Sequence, residues 1–275
     1  MKKSELIREI IEKKSFLCVG LDVDLDKIHN YLKDEKDPIF SFNKQIIDAT
    51  HDLAIAYKIN TAFYEAYGLE GWRAMEKTID YLNQNYPNIF TIADAKRGDI
   101  GNTSTRYAKS FFEQMDFNAI TVAPYMGRDS IEPFLAFEDK FTILLALTSN
   151  AGSSDFQMIK SGSKKRIFER VLEQSLLYKN ADQLMYVVGA TKPEYFKSIR
   201  TIVPNHFLLV PGIGAQGGNL KDVCKHGLNK DIGLIINSSR SIIYAGKDEN
   251  FAENAREEAL KIQQEMVEIL NQNFK

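Results

Sequence analysis

Cysteine is nearly absent. Cys18 and Cys224 are the only two in 275 residues, far apart and without a CxxC partner, which excludes a disulfide framework and a cysteine zinc cluster. The four histidines, His29, His51, His206 and His226, show no HExxH spacing and read as scattered surface or structural residues, so no metal site is expected. Charge of one sign is also missing: 35 Lys+Arg stand against 37 Asp+Glu, a net charge of −2. Such a balance gives no general field for nucleic acid, and any anion must be held by locally placed cations or backbone N–H groups. No apolar run approaches the ~18 residues of a membrane span. At the N-terminus, MKKSELIREIIEKKS breaks its apolar residues with charges, so the chain reads as cytoplasmic with no membrane partner. Finally, no Gly/Ser/Pro-rich linker or low-complexity stretch divides the chain, which favours one domain over two.

What is present is a recurring unit, a short apolar run followed by an amphipathic helical stretch. The candidate strands are Phe16–Leu21, Ala54–Ile59, Ile89–Ala93, Ala119–Val122, Thr142–Leu147, Met185–Val188, Phe207–Val210 and Gly233–Ile236. Between them, Ile39, Phe42, Ile46, Ala49 and Leu53 recur at helical spacing, with Asp37 and Pro38 suited to the N-cap and first turn. Leu69, Trp72, Met75, Ile79 and Leu82 form a second stripe, and Ile167, Phe168, Val171, Leu172 and Leu176 a third, all read as core. Eight such units predict an α/β chain closed as a (β/α)8 TIM barrel, with its chemistry at the C-terminal strand ends. The expected domain is 1–275, with an N-terminal helix in 1–15 and a C-terminal helix in 246–275; neither end has room for a second catalytic domain.

Polar residues gather where that fold predicts a site. Strand one ends in Gly20-Leu21-Asp22-Val23-Asp24, strand two in Lys58-Ile59-Asn60, and strand three in Asp94-Ala95-Lys96-Arg97-Gly98-Asp99. Strand alternation predicts that Asp94 and Lys96 share a face directed into the barrel mouth. Strand five ends in Leu147-Thr148-Ser149-Asn150, whose hydroxyl and amide groups suit a heterocycle edge. Strand seven runs into Pro211-Gly212-Ile213-Gly214-Ala215-Gln216-Gly217-Gly218, where four glycines in seven residues permit close backbone approach to a ligand. Strand eight ends in Asn237-Ser238-Ser239-Arg240-Ser241, and loops seven and eight often build a barrel's phosphate site.

These residues resemble the orotidine 5′-phosphate decarboxylase family, specifically its longer bacterial subgroup, from about Phe16 to Ala245. The likeness is carried by LCVGLD at 17–22, Lys58, TIADAKRGDIGNT at 91–103, APYMG at 123–127, LTSNAG at 147–152, PGIGAQGG at 211–218 and NSSRSIIYA at 237–245. It implies conversion of orotidine 5′-monophosphate to UMP and CO2, the last step of de novo UMP synthesis, without metal or organic cofactor. It assigns Asp22 and Lys58 to the ribose side and sets Asp94 and Lys96 against the scissile carboxylate. It further implies a homodimer in which Asp99, Ile100 and Thr103 enter the neighbouring subunit's site. Ser149 corresponds to the pyrimidine contact, Gln216, the backbone at Ser239 and the Arg240 guanidinium correspond to the phosphate clamp, and Pro211 is a further substrate-binding position. Two positions depart from the family pattern. Val23 stands where proline is usual, which predicts a looser turn after strand one, and Ser239 stands where many relatives have glycine.

Among competing readings, Mg2+-dependent sugar-phosphate decarboxylases and aldolases of the same suprafamily share DxKxxD but carry an acidic residue after strand two. Lys58 at that position would repel a metal. A silent nucleotide-binding barrel gains little from Asp94 and Lys96 together. The expected chemistry is therefore decarboxylation, with Lys96 as proton donor.

Overall fold

All eight apolar runs form strands, because a parallel sheet covered on both faces selects continuous rather than alternating apolar sequence. They are β1 (Leu17–Gly20), β2 (Ala56–Asn60), β3 (Phe90–Arg97), β4 (Ala119–Val122), β5 (Phe141–Leu147), β6 (Leu184–Val188), β7 (Leu208–Pro211) and β8 (Leu234–Ser238). In the computed structural model, which describes residues 1–162, 164–213, 217–246 and 248–274, they close a barrel in chain order β1 to β8. β3 extends past its apolar run to Arg97, so Asp94 and Lys96 lie on the strand itself rather than beyond it.

The chain falls into two compact units. The first comprises residues 1–95, 115–118 and 237–275. Here β1, β2 and β3 pair in parallel, with Gly20 opposite Lys58 and Asn60 opposite Asp94. Helices Lys3–Lys13, Pro38–Thr50, Gly68–Asn85 and Phe251–Asn273 belong to this unit. Phe16, Phe42, Ile46, Tyr57, Tyr64, Ile79, Phe251 and Met266 are fully buried in its core. Proline opens helix Pro38–Thr50 as expected, but the Asp37 side chain does not cap it; its carboxylate accepts from Lys77 Nζ at 2.6 Å instead. Leu69 leaves its predicted stripe and is 75% exposed, with Ala74 and Thr78 completing the buried face. The polar stretch 27–37 is anchored to this core: Ile28 and Leu32 are buried, and the His29 ring lies 4.7 Å from that of Phe251.

The second unit comprises residues 96–114 and 119–236. β4 to β7 pair in parallel, with Val122 opposite Leu144, Leu144 opposite Tyr186, and Tyr186 opposite Leu208. Helices Gly101–Lys109, Ile167–Ser175, Phe196–Ile202 and Leu220–Gly227 belong to it. Ile167 is 38% exposed, so the third stripe begins at Phe168. Arg200 is a structural clamp: Nε donates to Gly227 O at 2.6 Å, Nη1 to His206 O at 2.6 Å and Val203 O at 3.2 Å, and Nη2 to Gly233 O at 2.7 Å. Burial lowers its pKa to about 10.

Candidate active site

Lys58 is the single charged residue of β2, and it is 5% exposed. Its Nζ lies 3.3 Å from Asp22 Oδ1, beyond the end of β1, and 3.3 Å from Asp94 Oδ2 on β3. Burial alone would favour the neutral amine, but the two carboxylates outweigh it and raise the Lys58 pKa above the ordinary lysine value. With both carboxylates ionised, the cluster carries one excess negative charge. Beneath it on β1, burial pushes the Cys18 thiol up to about 12, and its Sγ lies 3.6 Å from Asn237 Oδ1.

The loop after β1 is held by tyrosine side chains at four backbone groups. Leu21 O accepts from Tyr64 Oη at 2.8 Å, and Leu25 N–H donates to Tyr67 Oη at 3.0 Å. Asp24 N–H donates to Tyr244 Oη at 2.8 Å, and the same hydroxyl donates to Asp22 O at 3.3 Å. Val23 is buried. Tyrosine hydroxyls bond the backbone on both sides of Val23, where a proline would instead have fixed φ at residue 23 itself. At the end of β8, Ser239 precedes the short helix Arg240–Ile243, and its Oγ donates to Gly20 O at 3.0 Å. A Cβ on Gly20 would lie 2.7 Å from the Ser239 Cβ, so the two strand ends approach closely only because residue 20 is glycine.

In the second unit, Lys96 is exposed and has φ +47°, a left-handed conformation that side chains other than glycine adopt at a cost. The strand pleat assumed for the Asp94/Lys96 alternation does not hold at this residue. Its N–H donates to the buried Thr121 Oγ1 of β4 at 2.9 Å, and Ala123 N–H donates to Arg97 O at 2.7 Å. The Asp99 carboxylate accepts from Ile100 N–H at 2.8 Å, its backbone carbonyl accepts from Ser104 Oγ, and Ile100 and Thr103 are exposed. After β5, Gln157 fixes Thr148 twice: its Oε1 accepts from Thr148 N–H at 2.8 Å and its Nε2 donates to Thr148 Oγ1 at 2.9 Å. Ser149 follows, its carbonyl accepting from Thr191 Oγ1 at 3.3 Å. Pro211 ends β7 half-buried. Gln216 lies outside the described residues.

A family model for the orotidine 5′-phosphate decarboxylase / HUMPS family matches residues 15–255. The chain belongs to this family. It is 64% identical over 274 residues to an orotidine 5′-phosphate decarboxylase of Flavobacterium johnsoniae, covering 100% of both chains. A Bacteroides fragilis protein of the same name is 60% identical over 270 residues, covering 98% of each. Among solved structures, OMP decarboxylase of Leishmania donovani superposes with TM-score 0.80 at 36% identity, over 96% of this chain and 100% of that one. Orotidine 5′-monophosphate decarboxylase of Plasmodium berghei gives 0.83 at 27% identity, over 98% of each.

Within the decarboxylase framework, the residues that sequence reasoning missed are those acting on backbone. Thr121 reads as an ordinary strand residue, and Gln157 sits in a polar loop. Gly189, just past β6, is a plainer case. Its N–H donates to Leu147 O at 2.7 Å, and a Cβ there would lie 2.7 Å from Ser149 N. A glycine ending an apolar run beside the strand that carries Ser149 was the available signal.

Proposed function

We propose that this chain decarboxylates orotidine 5′-monophosphate to UMP and CO2 in pyrimidine biosynthesis, with Lys96 as the proton donor. The observation that carries the reading is the Asp22–Lys58–Asp94 cluster around the buried Lys58, of which Asp94 lies on the same strand as Lys96. Asp94 faces the substrate carboxylate, and the repulsion between them is relieved as CO2 departs. When the bond from C6 to the carboxyl carbon breaks, its electron pair stays on C6. The Lys96 ammonium stabilises that charge and then transfers a proton to it, leaving a neutral amine that solvent reprotonates.

One ammonium is insufficient by itself. At ~4 Å and an effective dielectric of ~20, its attraction is about 4 kcal/mol, whereas enzymes can lower barriers by up to ~23 kcal/mol. The remainder is assigned to preorganised charge and to phosphate binding energy at a remote site. Arg240, Gln216 and the backbone at Ser239 form the phosphate clamp, a role suited to a bidentate guanidinium. Ser149 reads the pyrimidine edge and Pro211 borders the substrate. Asp99, Ile100 and Thr103 act in the site of a second copy, so the working form is a homodimer. The reaction needs no metal or organic cofactor, and the enzyme works in the cytoplasm. Among the described residues, no helix is long and apolar enough to cross a membrane.

The test is the absorbance change of EDTA-treated protein with orotidine 5′-monophosphate beside Lys96→Ala. Turnover is expected to vanish in the variant while UMP still binds. A variant within about tenfold of wild type, a barrier change of only ~1.4 kcal/mol, refutes Lys96 as donor. Activity restored only by Mg2+ refutes the cofactor-free reading.

A further inference from the structure

We propose that Ser239 and Tyr244 are positioning residues that latch the phosphate-binding turn to the loop carrying Asp22, so that phosphate binding orders the charged cluster. This inference rests on the decarboxylase reading and adds a function for two side chains that contact no reacting atom.

The geometry is specific. Ser239 and Tyr244 bracket the short helix Arg240–Ile243. From its two ends they reach three backbone groups of the β1 end: Ser239 Oγ donates to Gly20 O, while Tyr244 Oη donates to Asp22 O and accepts from Asp24 N–H. Both roles of the tyrosine hydroxyl are thereby used, and the segment from Gly20 to Asp24 is tied to the segment from Ser239 to Tyr244. Asp22 in turn contacts Lys58. The tyrosine is itself fixed, its ring 5.9 Å from that of Phe42, and burial raises its pKa to about 12, so the hydroxyl keeps its proton throughout the neutral range.

Ser239 supplies a side-chain hydroxyl at this turn. A glycine there supplies backbone freedom but no hydroxyl. Here the hydroxyl fastens the turn to Gly20, whose missing Cβ makes room for the serine. A turn held this way presents Arg240 with little conformational entropy left to lose when an anion binds. It also connects that binding event mechanically to Asp22.

Three variants test the latch: Ser239→Ala, Tyr244→Phe and the double change, each compared with wild type for UMP and uridine affinity. UMP affinity is expected to fall by about tenfold in each single variant, the scale of losing one or two part-buried hydrogen bonds, with uridine affinity within about twofold of wild type. The double variant should lose less than the product of the single losses, because the three bonds hold one turn. Equal losses for UMP and uridine, or a strictly multiplicative double variant, overturn the proposal. Hydrogen exchange gives an arm independent of nucleotide. Amides of residues 21–25 should exchange faster in each variant, and unchanged protection there overturns the latch. A wild-type protein that neither binds UMP nor turns over orotidine 5′-monophosphate, yet shows the faster exchange in the variants, refutes the decarboxylase reading and with it the phosphate role, leaving only a structural clamp.

Discussion

Removing the Lys58 cation is the most direct probe of the buried cluster. Lys58→Met keeps the length and apolar stem of the side chain but deletes the charge that separates Asp22 from Asp94. Both carboxylate oxygens lie 3.3 Å from one nitrogen, hence no more than twice that distance from each other. At an effective dielectric of ~20, each attraction is about 5 kcal/mol before desolvation is subtracted. Breaking a buried pair from one side costs about 3–5 kcal/mol, because it strands the remaining charge. In a protein of this size, that corresponds to a fall in Tm of roughly 5–9 °C. The pH dependence carries the sharper signature. In wild type, the folded-state pKa of Lys58 is raised above its unfolded value. Its stabilisation is therefore fully present below about pH 10 and is lost only as pH rises through the higher folded value. In the variant, two facing carboxylates favour keeping a proton on folding, so its stability should fall as pH climbs above ~4. The Tm difference from wild type should widen between pH 4.5 and pH 8 in thermal scans of both proteins. A variant within about 2 °C of wild type, with a gap independent of pH, would falsify the electrostatic account.

Other parts of the molecule give equally concrete expectations. Arg240→Ala should weaken UMP binding by at least about tenfold while leaving uridine binding nearly unchanged, and equal effects on both remove the guanidinium from the phosphate clamp. Gly189→Ala places a Cβ 2.7 Å from Ser149 N; the backbone must shift, and kcat/KM should drop by about tenfold or more, so retained activity shows that Ser149 does not need its present position. Arg200→Met removes the guanidinium from four backbone carbonyls, of which Gly233 O keeps the Leu208 N–H at 2.9 Å; urea denaturation should show a loss of about 3 kcal/mol or more, and a loss under ~1 kcal/mol means that water replaces the clamp.

The barrel was legible because its signal is redundant. Eight apolar runs must each be covered on both faces, and an error of two residues at any boundary leaves the count intact. Phe90–Arg97 illustrates what that signal omits. Its last four residues are polar or small, yet the strand persists, held by pairing of Asp94 with Asn60 in the first unit and by the Thr121 hydroxyl at Lys96 in the second. Neither partner is local in sequence. The left-handed φ of Lys96 was equally hidden, since nothing in Ala95-Lys96-Arg97 favours it and only tertiary contacts can impose it. Leu69 failed for a different reason: helical periodicity predicts a face, but where the buried arc ends depends on what packs against it. Asp37 had the right identity for a cap, but its carboxylate is bonded to Lys77 instead.

Those hidden features share a direction. The charged residues stand out in the sequence because carboxylates and ammonium groups at the ends of apolar strands are conspicuous. Their supports were missed because a tyrosine hydroxyl, a threonine or a glycine looks ordinary until its partner is known. Yet charge alone does little catalytic work, since a mobile ammonium spends its time solvated and must be reorganised during the reaction. Asp22 is held through the backbone loop that Tyr244 bonds, and Lys96 through the amide that Thr121 accepts. In both cases the constraint acts on main chain, fixing the point from which the charged side chain departs. A substitution that preserves every charge but removes these supports, such as Thr121→Val, should therefore reduce kcat more than it reduces stability. If Thr121→Val lowered both in proportion, backbone positioning would not be separable from folding, and the left-handed turn at Lys96 would be a feature of stability alone.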